Sequence, residues 1–411
     1  MTALDRNFAP TSRLADSGPS HRVPAATRVL LALLRRLEHG ELHVRLPDGT
    51  LHRFGEVSGA PAVLAIANWR VAADTLMGGD VAFAEGYMRG DWDTPDLERL
   101  LGVIARNQAA LERAVFGRGL TTWLARLKHL LRANTKRQAR RNILAHYDLG
   151  NDFYRLWLDP TMTYSSGCYE GDHTRTLEQA QQAKYRRMLD ALRLPAGAHI
   201  LEIGCGWGGF AELAAREGYR VTGLSLSDAQ TAYARDRVAR AGLGDRVELR
   251  AQDYRDERGV YDGVVSIEMF EAVGERWWPA YFDRLRDALR PGGRACIQSI
   301  TIDEAKFERY RRGTDFIQQY IFPGGMLASP ARLTDEAERA GLECVGRSMF
   351  GADYARTLRE WLAAFDARVE AVRALGFDER FVRCWRFYLA YCTAGFSARS
   401  IDVGHFTFVR S

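Results

Sequence analysis

No stretch of the chain is long and apolar enough to span a bilayer. The longest aliphatic run near the start, Val29-Leu30-Leu31-Ala32-Leu33-Leu34, falls far short of the roughly 20 residues that a crossing helix needs, so no transmembrane segment is expected. The opening residues Met1-Thr2-Ala3-Leu4-Asp5-Arg6 lack a basic region followed by an apolar core, which predicts no secretory signal and a cytoplasmic location. Cysteine is sparse: Cys168, Cys205, Cys296, Cys344, Cys384 and Cys392 are scattered over 411 residues with no C-x-x-C pair. That spacing argues against a zinc site and a disulfide framework, and it suits a reducing compartment. Acidic residues are missing locally. Between Glu112 and Asp148 there are none, while Arg113, Arg118, Arg126, Lys128, Arg132, Lys136, Arg137, Arg140 and Arg141 are all basic. The formal net charge of +5 is mild for this length and by itself implies no partner.

With 46% hydrophobic and 27% charged residues, the chain can bury a full core, and its length predicts two domains. Residues 1–25 are rich in Pro, Ser and Ala without periodicity and read as a loose tail. Residues 26–115 read as a small α+β accessory domain. There the runs Leu42-His43-Val44-Arg45-Leu46 and Leu51-His52-Arg53-Phe54 flank a Pro47-Asp48-Gly49 turn and predict a hairpin, with helices expected over 28–37, 72–88 and 97–115. Residues 116–145 form a basic amphipathic linker, in which Leu120, Trp123, Leu124, Leu127, Leu130 and Leu131 share one helical face. Such a helix either lies on an anionic membrane or packs on its own protein. Nucleic acid is not an expected partner, since no binding motif accompanies the charge.

From about residue 195 the pattern becomes strand, glycine loop and helix in alternation, the mark of a doubly wound parallel sheet. Strands are expected at 199–203, 220–225, 246–250, 261–267 and 294–300, helices over much of 301–330 and 351–400, and a closing strand at 404–410. The first strand runs into Gly204-Cys205-Gly206-Trp207-Gly208-Gly209, where glycines let the backbone approach a nucleotide closely. Gly204, Gly206 and Gly209 also satisfy G-x-G-x-x-G, so the loop alone would serve a dinucleotide. A dinucleotide site expects an acid at the end of the second strand, and that end reads Leu224-Ser225-Leu226-Ser227. The acid stands after the third strand instead, as Asp253 in Gln252-Asp253-Tyr254. This arrangement predicts an S-adenosylmethionine-dependent methyltransferase. The expected fold is α/β, a class I methyltransferase (Rossmann-like) sheet with helical insertions over residues 146–411.

The chain resembles the cyclopropane-fatty-acyl-phospholipid synthases and the related mycolic-acid methyltransferases. The resemblance runs from about His146 to the C-terminus. It rests on the blocks from His146 to Tyr154, Met162-Thr163-Tyr164-Ser165, Gln179 to Lys184, the glycine loop, Gln252 to Asp256, Met269-Phe270-Glu271, Gln319 to Gly325 and Gly351-Ala352-Asp353-Tyr354. It implies transfer of a one-carbon unit from S-adenosylmethionine to the cis double bond of an unsaturated phospholipid acyl chain at the inner membrane surface. A homodimer is left open. The pocket for a hydrocarbon nucleophile and a transient cation has to be dry, and Tyr164, Tyr254, Phe270, Tyr320 and Tyr354 are candidates to hold the cation on aromatic faces, with core packing the competing role for Tyr254 and Phe270.

By the same resemblance, Tyr164, Ser165, Gly204, Gly206, Gly208, Gly209, Ser225, Gln230, Gln252 and Asp253 bind the cofactor. A bound bicarbonate is implied as the base, cradled by Ser166, Glu271, Gln298, Ile300 and Tyr354. Cys392 matches a cysteine placed in the family's active site. Two positions depart from the family pattern: Ser166 stands for a cysteine and Gln298 for a histidine. Glutamine cannot titrate as histidine does, so the base and the end product, cyclopropane or a methyl-branched or methylene chain, stay open. Glu271 is the expected base or its orienter. Glu268, just before it, has no assigned role.

Overall fold

The computed structural model describes residues 23–57, 59–108, 110–111 and 149–411. Most of the expected tail and all of the basic linker lie outside the described residues. The chain divides into two compact units, the first taking in the N-terminal residues together with Phe377–Ala398, the second the remainder to Ser411. The helix Glu379–Ser397, inside the domain expected over residues 146–411, thus groups with the first unit.

In the first unit a four-stranded sheet has the order β2-β1-β3-β4, built from β1 (Glu41–Arg45), β2 (Leu51–Gly55), β3 (Ala62–Ile66) and β4 (Trp92–Asp93). The expected hairpin is present as the antiparallel pair β1–β2. Alternation in β1 buries Leu42 and Val44, as period-2 patterning requires. Helix Leu97–Arg106 starts where the Asp96 side chain accepts from the Arg99 N–H at 2.9 Å, a standard N-cap. Helix Glu379–Ser397 joins this unit because its apolar face meets it: the Phe387 ring lies 5.9 Å from Tyr87 and 6.4 Å from Trp92. The Arg383 guanidinium stacks over Tyr87 at 3.9 Å and donates to the Trp92 carbonyl at 3.1 Å.

The second unit is built on a seven-stranded sheet, order β10-β11-β9-β8-β5-β6-β7. Its strands are β5 (His199–Ile203), β6 (Arg220–Ser225), β7 (Val247–Ala251), β8 (Tyr261–Ile267), β9 (Leu289–Ile302), β10 (Leu342–Met349) and β11 (Ile401–Arg410). The five strands from β9 to β7 are parallel, whereas β11 runs antiparallel to both β9 and β10. The sheet is thus mixed rather than wholly parallel. Arg290-Pro291-Gly292-Gly293, just ahead of the strand expected at 294–300, already belongs to β9, since the preceding helix ends at Ala288. Strand β8 is buried along most of its length, as a parallel strand covered on both faces must be. One face packs Phe270, Trp278, Tyr281, Phe282, Leu285, Phe406 and Phe408, and the other packs Met188, Leu189, Phe210, Ala211, Ala214 and Val238.

This strand order positions the site. From β5 the chain moves outward to β6 on one side and returns to β8 on the other, so β5 and β8 flank the point where the winding reverses. Ligands bind in the crevice that opens there, beyond the carboxyl ends of the strands. The two loops meet closely: Gly204, at φ +86°, leaves no room for a side chain, since a Cβ there would lie 3.1 Å from the Met269 Cβ.

The core predicts its own test. Phe282 is fully buried, with ring centroids of Tyr281, Phe270 and Phe408 at 5.2, 5.3 and 6.1 Å. Phe282→Ala is expected to cost about 3–5 kcal/mol, read from the urea midpoint at constant m-value. A loss under about 1 kcal/mol would show that this aromatic layer does not carry the stability of the sheet.

Candidate active site

The glycine loop is tied to the sheet by its backbone: the N–H groups of Gly204 and Cys205 both donate to the Leu224 carbonyl at 2.9 Å. Its glycines do different things. At Gly208 a Cβ would press to 3.0 Å on the Ala234 Cβ, and at Gly209 to 2.8 Å on the Tyr185 hydroxyl, so those two allow close packing of neighbouring helices. Gly206, at φ +51°, has nothing within 4 Å of where its Cβ would stand. The loop therefore leaves open space at the second glycine, where a nucleoside would approach the backbone.

Polar side chains stand at the ends of the next strands. Ser225 donates to Gln230 Oε1 at 3.1 Å and accepts from the Ser227 N–H at 3.1 Å. Gln252 donates to Glu257 at 3.2 Å, and Asp253 pairs with Arg255 at 2.6 Å. Ser165 is held from two sides, its hydroxyl accepting from Lys184 Nζ at 2.6 Å and its carbonyl from Gln181 Nε2 at 2.8 Å. Tyr164 sits in an aromatic group, 5.5 Å from both Tyr154 and Trp157 and 5.4 Å from Trp361. The open loop and these donors and acceptors along one strand-end edge fit an S-adenosylmethionine.

Of the other aromatic candidates, Phe270 is core, packed among Trp278, Tyr281 and Phe282. Tyr254 packs edge-on against Tyr281 at 5.5 Å, and Tyr320 stacks on Phe316 at 5.5 Å. Tyr354 stands apart from these, since its hydroxyl reaches the carboxylates described next.

Strand β8 ends in a pair of buried carboxylates. Glu268 takes φ +48°, a left-handed conformation uncommon outside glycine, and its N–H donates to the Gln298 carbonyl at 2.8 Å. Its Oε1 accepts from the Ser166 N–H at 2.9 Å and from Gln298 Nε2 at 2.7 Å, and its Oε2 from the Tyr354 hydroxyl at 2.6 Å. Glu271 Oε1 accepts from the Ile300 N–H and from Ser299 Oγ, while its Oε2 is buried with no partner. The Ser166 hydroxyl turns away and donates to the Gly167 carbonyl at 2.9 Å, so this residue serves the cluster through its backbone alone.

Gln298 has its amide orientation fixed by His405, whose Nε2 donates to Gln298 Oε1 at 2.9 Å. Burial, with Arg187 and Lys184 adding to it, pushes His405 down to about 3, so the ring is neutral and the Gln298 NH2 points at Glu268. The two carboxylates lie in different surroundings. Burial raises both, but hydrogen bonds from Tyr354, Ser166 and Gln298 and the charge of Lys184 favour ionised Glu268. Burial, and then the charge of Glu268, push Glu271 up to about 8. Glu268, though raised as well, is thus the acid whose ionised form its neighbours support, and Glu271 the one whose proton they favour, a division of two acids by environment. Glu271, expected as the base or its orienter, is the harder of the two to ionise.

All the residues of the expected bicarbonate cradle meet here: Ser166, Gln298 and Tyr354 on Glu268, Ile300 on Glu271. Cys392 lies on helix Glu379–Ser397, which groups with the first unit. Sequence reasoning gave Glu268 no task. Its only local mark is a second acid beside Glu271.

The family model "Mycolic acid cyclopropane synthetase" matches residues 134–406. A tuberculostearic acid methyltransferase of Mycobacterium tuberculosis is 38% identical over 99% of this chain and 96% of its own. The cyclopropane-fatty-acyl-phospholipid synthase of Escherichia coli K12 is 32% identical over 89% of this chain and 93% of its own. Among solved structures, a mycolic acid cyclopropane synthase complexed with SAH and CTAB superposes with a TM-score of 0.62 at 32% identity, covering 66% of this chain and 98% of that one. Strand order, glycine loop and family match agree: the chain belongs to the mycolic acid cyclopropane synthetase family and is an S-adenosylmethionine-dependent methyltransferase.

Proposed function

We propose that the protein adds a one-carbon unit to a cis double bond in an unsaturated acyl chain of a membrane phospholipid, and that the added carbon is kept as a methylene branch. The observation that carries this reading is the buried carboxylate pair at the end of β8, directly across from the glycine loop that ends β5. An electron-rich hydrocarbon needs no base to attack a methyl group. It needs one afterwards, to take a proton from the added carbon, and a buried carboxylate suits that task. When bound, S-adenosylmethionine supplies an electrophilic methyl on a sulfonium that departs as a neutral thioether. The chain's own residues then have to keep out water and steady a positive charge, for which the Tyr164, Tyr154, Trp157 and Trp361 rings offer aromatic faces.

A relative 38% identical over nearly the whole chain is named a tuberculostearic acid methyltransferase and not a cyclopropane synthase, which supports a product left unclosed. The shorter match to a cyclopropane synthase favours a ring, which is the second reading. A phospholipid substrate places the protein at the cytoplasmic face of a membrane. The acid-free segment between Glu112 and Asp148 supplies the positive charge that anionic lipid attracts.

Incubation with S-adenosylmethionine and vesicles of monounsaturated phosphatidylglycerol is expected to add one CH2 to the acyl chain, seen by mass spectrometry of the released esters. Fragmentation then separates branch from ring, and unchanged esters would defeat the reading. Replacement of Gly206 by alanine fills the open space on the loop at a strain cost of about 1 kcal/mol. It is expected to weaken S-adenosylmethionine binding about tenfold or more by calorimetry, with the melting temperature lowered only a few degrees. Unchanged affinity would remove the loop from the cofactor site.

A further inference from the structure

We propose that Glu268 is the built-in base of this enzyme, its carboxylate occupying the cradle that the family resemblance gives to a bound bicarbonate. The inference rests on the function proposed above and names the group that takes the proton.

A bicarbonate in that cradle would draw on the Ser166 N–H, the Gln298 side chain and the Tyr354 hydroxyl. Each of them already donates to Glu268, at 2.9, 2.7 and 2.6 Å. A carboxylate and a bicarbonate share the planar O–C–O unit, so the same donors suit either, but they cannot serve both. A second anion beside buried, ionised Glu268 would also meet direct repulsion with no donor left to offset it. The residues present therefore do not fit a bicarbonate.

The departures from the family pattern are explained together. Gln298 is an amide whose NH2 is aimed at Glu268 by neutral His405. A fixed neutral donor is what a tethered carboxylate needs. Ser166 contributes only its N–H, so the change of side chain is immaterial. The left-handed backbone at Glu268 costs about 1–2 kcal/mol for a side chain of this type, and such strain persists where the surroundings enforce it. Here three donors and a backbone bond to β9 do so.

Of the two oxygens, Oε1 accepts two hydrogen bonds and Oε2 one, which leaves a lone pair on Oε2 to receive a proton. In the step itself a C–H bond of the added carbon breaks and the proton passes to Glu268. A 1,2-hydride shift has by then brought the positive charge to the carbon that bears the new methyl, and the electron pair of the broken C–H bond neutralises it by forming the exocyclic double bond. Release of the proton to water resets the carboxylate.

The test uses the full-length protein in carbonate-free buffer and in buffer with added bicarbonate. Wild-type turnover on unsaturated phospholipid is expected to be the same in both. Glu268→Gln, which keeps the shape and loses the base, is expected to fall about a hundredfold or more with unchanged S-adenosylmethionine affinity, and bicarbonate should not restore it. Glu268→Gly, which empties the cradle and relieves the backbone, is expected to bind bicarbonate by calorimetry and to regain activity when it is added. Wild type stimulated by bicarbonate, or Glu268→Gln retaining more than a tenth of the rate, would overturn the proposal. Should wild type leave the lipid unmodified, the function proposed above fails, and the cradle is still tested by bicarbonate binding. Binding to wild type, or its absence from Glu268→Gly, then counts against the assignment.

Discussion

Glu268 ends β8 with its backbone turned left-handed, and its carboxylate gathers hydrogen bonds from residues 102, 30 and 86 positions away in the chain. Those partners come from the loop between helices Asn151–Arg155 and Leu177–Leu192, from β9 and from helix Gly351–Ala367. A buried carboxylate is tolerated only when donors surround it. The charge therefore requires these parts of the second unit to arrive together and in register. A slip of β9 by one residue would turn Gln298 to the other face of the sheet and leave the charge without its amide. The site thus depends on the sheet being correct, and it also constrains the sheet.

The second carboxylate completes the electrostatic picture. Two ionised acids this close in a medium that excludes water would repel strongly, so one of them gives up its charge. The hydrogen bonds decide which. Glu268 faces donors on both oxygens, whereas Glu271 has an oxygen with none. Lys184, buried and lowered to about 8 by that burial against the pull of Glu268, supplies a counter-charge from behind Ser165. Neutral His405 adds no charge and serves to orient. One fixed negative charge, held by a neutral scaffold and a nearby ammonium, is a suitable partner for a transient hydrocarbon cation.

The parts of this design differ in how legible they are in the sequence. Strands β5, β6 and β8 fall where the apolar runs place them, because a strand covered on both faces needs a continuous apolar stretch and the glycine loops mark its ends. Strand β10 escapes that reading. It lies at the sheet edge, and its burial pattern leaves only Leu342 fully inside, so its signal is weak. The placement of helix Glu379–Ser397 in the first unit is a matter of which surface matches Phe387 and Arg383, and local pattern is silent on that. The cradle residues were named from motifs. The occupant of the cradle was not, because the left-handed turn at Glu268 and the convergence of distant donors arise only in the folded chain.

On the proposed reading, ring and branch begin from the same cation and end with loss of a proton from the same added carbon. In the ring the electron pair closes onto the neighbouring cationic carbon. In the branch a hydride moves first, and the pair then forms an exocyclic double bond. The identity of the base therefore does not by itself choose the product; the order of hydride shift and proton loss does. A bound anion can shift with the cation it neutralises, whereas Glu268 is held by three hydrogen bonds and by its own backbone. Such a base acts only on a carbon that comes to it. A fixed base that waits gives the hydride time to move, provided the aromatic walls around Tyr164 keep water from reaching the cation first, and on the proposed reading a carboxylate tethered in the place of a bicarbonate also favours the branch.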